Sequence, residues 1–166
     1  MKLKMCIFCA LGLLITSVNA MSSTAGINCT TQSVVFQNGV VVLNSRNVVR
    51  PLVYQFQNIA GQTVQLNHST GAGMQAGYAS NIDPDHMTAI LINKNSFFFS
   101  CAFLNAQEIP RAVDCSKVIE ACEMKNIIYP ADPSMLQGQY WIVENQAVNS
   151  FNNALAQRGF VPKEQS

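Results

Sequence analysis

The chain contains two histidines, His68 and His86, and any acid–base or metal chemistry has to be built around them. His86 follows Asp83-Pro84-Asp85, so a carboxylate could orient its ring toward a hydroxyl nucleophile. No Gly-x-Ser-x-Gly elbow supplies that nucleophile, and Asp-Pro-Asp-His has the composition of a polar turn between strands. Copper makes a different demand: two imidazoles, a thiolate and a weak axial methionine, with the cysteine, one histidine and the methionine crowded into one short loop. Cys101 is followed by Ala102-Phe103-Leu104, without that histidine. His68, His86, Met74 and Met87 are therefore weak candidates for a metal ion, and a copper-binding, cupredoxin-like protein is the alternative functional reading. A glycosidase needs two carboxylates flanking one bond. Asp83, Asp85, Glu108 and Glu144 show no spacing that selects a pair. The expectation is a non-catalytic chain with no cofactor and no dedicated metal site.

The cysteines point to a compartment. Lys2 and Lys4 precede an almost wholly apolar run from Met5 to Thr16, and Val18-Asn19-Ala20 places small residues at a cleavage position. That order is the secretory signature, and a run of about a dozen apolar residues falls short of the roughly 20 that span a bilayer. Residues 1–20 are expected to be a signal peptide, and residues 21–166 one domain delivered to the periplasm or secreted. Cys6 and Cys9 leave with the signal, and Cys29, Cys101, Cys115 and Cys122 remain. An even set in an exported chain argues for two disulfides, whereas a four-thiolate zinc site would show close C-x-x-C pairs.

Signal removal also changes the charge. Residues 21–166 hold eight Lys/Arg against nine Asp/Glu, a formal −1, and 28 Asn and Gln make up much of the polar surface. No basic stripe exists to neutralise phosphates, so nucleic acid is not an expected partner.

These residues have to be positioned by strands. Ser33 to Leu43 is rich in valine and broken by Asn38-Gly39, a tight-turn pair. Leu52 to Asn58 and Thr63 to His68 alternate with a period of two and read as a hairpin turning through Ile59 to Gln62. Ser69 to Gly77, with Gly71, Gly73 and Gly77, reads as a surface loop. Thr88 to Ile92 is continuously apolar, as a central strand would be, and Asn93-Lys94-Asn95 turns the chain into a strong strand from Ser96 to Leu104. Phe97, Phe98 and Phe99 are consecutive, so alternation sends Phe98 to the face opposite its neighbours, where it meets a second layer or stays exposed for a partner, the buried arrangement being the one expected.

Val113, Val118, Ile119 and Cys122 are spaced nearer 3.6 than 2, with Asp114 placed to cap a short helix. On a continuous helix Cys115 and Cys122 would stand about 10.5 Å apart, beyond the roughly 7 Å that a disulfide bridges, and they would bond to Cys29 and Cys101. In a turn they would bond each other. Gly138 to Asn145 reads as a strand with the lone tryptophan, and Ser150 caps a last helix, Phe151 to Arg158, ended by Gly159. The sum is a mostly β chain of about seven strands with short helices in its C-terminal third. The expected architecture is an immunoglobulin- or cupredoxin-like β-sandwich, stapled by disulfides.

Several segments resemble one family. Gly77-Tyr78-Ala79-Ser80-Asn81-Ile82-Asp83 through Thr88-Ala89-Ile90, then Phe99-Ser100-Cys101, Cys115-Ser116-Lys117-Val118-Ile119-Glu120-Ala121-Cys122 and Gly138-Gln139-Tyr140-Trp141-Ile142-Val143-Glu144-Asn145 are similar to exported bacterial proteins of the enhanced-entry B type, described from intracellular pathogens related to Legionella. The similarity runs over most of residues 21–166, including the spacing of the three later cysteines. It implies a virulence-associated protein without an established enzymatic activity, acting on a protein or envelope component through its surface. Gly71, Gly73, Gly77 and Tyr78 are the expected interaction surface.

Overall fold

A computed structural model describes residues 29–44, 51–69, 79–93, 96–105, 107 and 109–163. The expected signal peptide, residues 1–20, lies outside them. In chain order the strands are β1 (Cys29–Thr30), β2 (Val34–Gln37), β3 (Val40–Asn44), β4 (Leu52–Asn58), β5 (Val64–Ser69), β6 (Ala79–Ile82), β7 (His86–Ile92), β8 (Ser96–Leu104), β9 (Pro110–Val113), β10 (Ile119–Met124), β11 (Ile127–Ile128), β12 (Tyr140–Ala147) and β13 (Val161–Pro162). One sheet runs β1-β10-β4-β7-β12. A second runs β2-β3-β8-β5-β6, with β9 beside the far half of β8, and β11 and β13 form a small third pair. No helix among the described residues is long and apolar enough to cross a membrane.

Asn38 and Gly39 both take positive φ, 52° and 76°, and join β2 to β3 with Gln37 opposite Val40. That is the two-residue hairpin whose twist matches its strands. The turn also seats the chain just beyond β9: the Cys115 N–H donates to the Gly39 carbonyl at 3.0 Å.

The expected hairpin between 52–58 and 63–68 does not form. β4 pairs with β10 and β7 in the first sheet, and β5 pairs with β8 and β6 in the second. The segment between them is a corner from one sheet to the other, held by the buried Asn58. Its Nδ2 donates to the carbonyls of Gln62, at 2.8 Å, and Ile82, at 2.7 Å, while its Oδ1 accepts from the Ala60 N–H. A side chain that satisfies three backbone groups can replace the ladder bonds a hairpin would supply. The chain crosses between sheets again from β7 to β8.

The sheets face each other across one core. Tyr54, Phe56, Ile90, Ile92 and Ile119 from the first meet Val41, Leu43, Leu66, Phe97 and Phe99 from the second. Alternate residues of the first sheet, Val53, Met87, Ala89, Leu91 and Ile142, point the other way into a second cluster. Helix α1 (Phe151–Gln157) covers that side with Phe151 and Leu155, joined by Phe160. Both faces of β7 are thus buried, which is why its sequence is a continuous apolar run and not an alternation.

Helix α1 ends as expected at Gly159, φ 82°, with Phe160 N–H donating to Leu155 O and Gly159 N–H to Ala156 O. This pair of bonds satisfies carbonyls the last turn would leave open. Ser150 does not cap the start, because its hydroxyl donates back to the Ala147 carbonyl.

The expected helix after Asp114 is also corrected. Asp114 caps only a single 3-10 turn, Cys115–Lys117, by accepting from the Ser116 N–H, and the chain then enters β10. The disulfides are Cys29–Cys122 and Cys101–Cys115, with Cα–Cα separations of 5.6 and 5.2 Å. Cys115 and Cys122 do bond to Cys29 and Cys101, but the cause is strand placement: Cys29 and Cys122 lie on neighbouring strands, and the Asn38-Gly39 turn brings Cys115 beneath β8. Paired disulfides belong to chains that mature outside the reducing cytoplasm.

Candidate functional site

The sequence-selected groups that fall within the described residues have definite places. Asp83 directly follows β6, and both its carboxylate oxygens are occupied. Thr63 Oγ1 donates to Oδ1 at 2.7 Å and Asn145 Nδ2 to Oδ2 at 2.8 Å. The Asn145 and Thr63 hydrogen bonds hold the carboxyl below the usual carboxylate range. The His86 ring is bonded to a different group: Nδ1 lies 2.8 Å from the Pro84 carbonyl and donates to it, while its backbone N–H donates to Asp83 O. Asp85, at φ 59°, completes the reversal, and its carbonyl accepts from Val148 N–H. The Asp-Pro-Asp-His segment is therefore a turn pinned to β12, with the carboxylate committed to Thr63 and Asn145.

His68 sits elsewhere. Its ring stacks on Phe97 at 3.9 Å between centroids and meets Phe99 edge-on at 6.1 Å, between the sheets. His86 opens β7 of the first sheet, beside the turn that follows Ile82. Ile82 pairs with Val64, four residues along β5 from His68, so that run of strand puts about 13 Å between the two ends. The structure does not bring the two imidazoles together. Met87 points into the cluster beneath α1, away from His68. Among the described residues no three His, Cys, Asp or Glu side chains converge on a common point. Glu144 is exposed on β12. Gly71, Gly73, Met74, Gly77, Tyr78 and Glu108 lie outside the described residues.

One polar cluster escaped the sequence. Glu123 on β10 is 6% exposed; Ser33 Oγ donates to its Oε2 at 2.6 Å, and Lys125 Nζ pairs with its Oε1. Opposite it in the ladder stands Tyr54, wholly buried, whose phenol is pushed up to about 12 by that burial. Glu123 and Lys125 stand two residues apart, a strand's period, just past the helically spaced run that ends at Cys122.

The second sheet's outer face is the most distinctive surface. β2, β3, β5, β6 and β8 contain no Asp, Glu, Lys or Arg. Val35, Val42 and Phe98 lie in one cross-strand row, with Val35 45% and Phe98 39% exposed. Phe98 thus takes the exposed alternative, not the buried one expected. Beside that row runs an amide ladder, in which Asn67 Nδ2 donates to Gln65 Oε1 and Gln65 Nε2 to Asn81 Oδ1, each at 3.1 Å. An uncharged face of exposed apolar groups and amides suits recognition of an uncharged surface. No protein-family model, curated protein or solved structure matches the chain.

Proposed function

We propose that the chain is an exported, non-catalytic envelope or periplasmic protein with an immunoglobulin- or cupredoxin-like sandwich, working through the outer face of its second sheet. The resemblance to exported proteins of the enhanced-entry B type, which are associated with host-cell entry, and the paired disulfides support export and a surface role. The observation that carries the reading is Phe98. A phenylalanine 39% exposed in the middle of a sheet without an Asp, Glu, Lys or Arg in β2, β3, β5, β6 or β8 contributes little to the core, and it gains by being covered.

The test is capture from envelope fractions by the immobilised, disulfide-bonded protein, run beside Phe98→Asp. The reading expects a reproducible non-self component held by the native protein and lost on the variant, with both proteins melting alike. Capture that is indifferent to Phe98→Asp would remove this face as the working surface.

A further inference from the structure

Strand edges carry unpaired backbone groups, and proteins block them with short strands, charges, proline or bulges. Most edges described here are blocked. β1 is two residues long and fixed by Cys29, and β12 has two register irregularities against β7. β9 carries Pro110 and Arg111, and β6 runs into Asp83-Pro84. β2 differs. It reads Val-Val-Phe-Gln, without charge, proline or irregularity, and it exposes Val35 at 45% and Phe36 at 38%.

The hairpin register says which groups of β2 are free. Gln37 and Val40 close the two-residue turn and form a hydrogen-bonded pair, so alternation makes Val35 and Val42 the next bonded pair. Asn44 N–H donating to Ser33 O at 2.7 Å continues that alternation. The N–H and C=O of Phe36 therefore point out from the edge, between Val35 and Gln37.

We propose that two copies of this chain associate edge to edge through β2, antiparallel, with Phe36 of one copy opposite Phe36 of the other. In that register each Phe36 N–H donates to the second copy's Phe36 carbonyl, the two phenyl rings meet across the axis, and Val35 lies opposite Gln37. A second copy fits because residues 33–44 contain no ionisable side chain and residues 21–166 carry a formal charge of only −1 (eight Lys/Arg against nine Asp/Glu). Identical edges then meet without like-charge repulsion, whereas an acidic or basic partner would find no complementary group. The two-fold pairing closes on itself, so it gives a dimer and not a fibre. This inference goes beyond the surface role proposed above and stands independently, since that role is read from a non-self component.

Sedimentation velocity on the disulfide-bonded protein, at rising concentration through the micromolar range, tests it. The mass should move from one chain to two. Phe36→Lys puts a charge on the axis, and Phe36→Pro removes the outward N–H at an edge position that tolerates proline. Both should remain single chains while melting as native, and Ile128→Lys, at an exposed apolar site elsewhere, should dimerise normally. A native protein that stays a single chain, one that builds assemblies larger than two, or Phe36 variants that associate undiminished would overturn the proposal.

Discussion

Asp83 and Asn145 grip each other reciprocally across the two sheets: Asn145 Nδ2 donates to Asp83 Oδ2 and Asp83 N–H donates to Asn145 Oδ1, both at 2.8 Å. Asn145 does so from a left-handed conformation, φ 47°, which asparagine tolerates better than most residues. The hydrogen bonds depress the folded-state pKa of Asp83, so the unfolded chain binds its proton more readily. The stabilisation is complete above the unfolded value, about 4, and is lost as pH falls through the folded one. Denaturant unfolding at about pH 7 and about pH 3 should show a smaller acid loss for Asp83→Asn than for the native chain. Equal losses in the two proteins would contradict this role.

Non-reducing peptide mapping should recover Cys29 linked to Cys122 and Cys101 linked to Cys115. The first closes a separation of 93 residues, and replacing both its cysteines by alanine should cost about 4 kcal/mol through freedom returned to the unfolded chain. A peptide joining Cys115 to Cys122 would refute the pairing.

Gly159 and Gly138 offer a matched comparison, with φ of 82° and 80°. A Cβ at Gly138 meets nothing within 4 Å, whereas at Gly159 it would lie 3.2 Å from Pro130 Cγ and 3.3 Å from its Cβ. Gly138→Ala should cost about 1–2 kcal/mol from the left-handed backbone, and Gly159→Ala measurably more. Thermal melts that rank them the other way would show that the Pro130 contact relaxes freely.

Adjacent phenylalanines should behave as opposites. Phe99, fully buried among Phe56, Phe97 and Trp141, should lose about 3–5 kcal/mol on replacement by alanine. Phe98→Ala should cost less than about 1 kcal/mol, since its side chain lies on the outer face. Comparable losses by denaturant unfolding would place Phe98 in the core.

Much of this architecture was legible wherever a local signal coincided with the global one. Asn38-Gly39 favours the tight turn that joins β2 to β3, the apolar run of β7 suits a strand inside its sheet, and alternation through the consecutive phenylalanines puts Phe98 on the face opposite Phe97 and Phe99, although burial and not exposure was expected there. What stayed hidden was set by partners distant in sequence. Two alternating segments joined by a short glycine-containing linker look like a hairpin, and only the hydrogen bond from Asn58 to the Ile82 carbonyl shows why the chain crosses between sheets instead. Val113, Val118, Ile119 and Cys122 imitate helical spacing because a one-turn helix and a strand meet at Val118. The Thr63 and Asn145 bonds that occupy Asp83 span 20 and 62 residues, beyond any local pattern.

The central proposal is that the chain is exported and that the outer face of its second sheet meets another molecule of the envelope. Placing a photo-crosslinking residue at position 98 in cells producing the protein asks this directly, with position 128, also exposed and apolar, as the comparison. The account predicts discrete adducts to a non-self envelope component from position 98 and none from position 128. Adducts absent at 98, or the same from both positions, would contradict it.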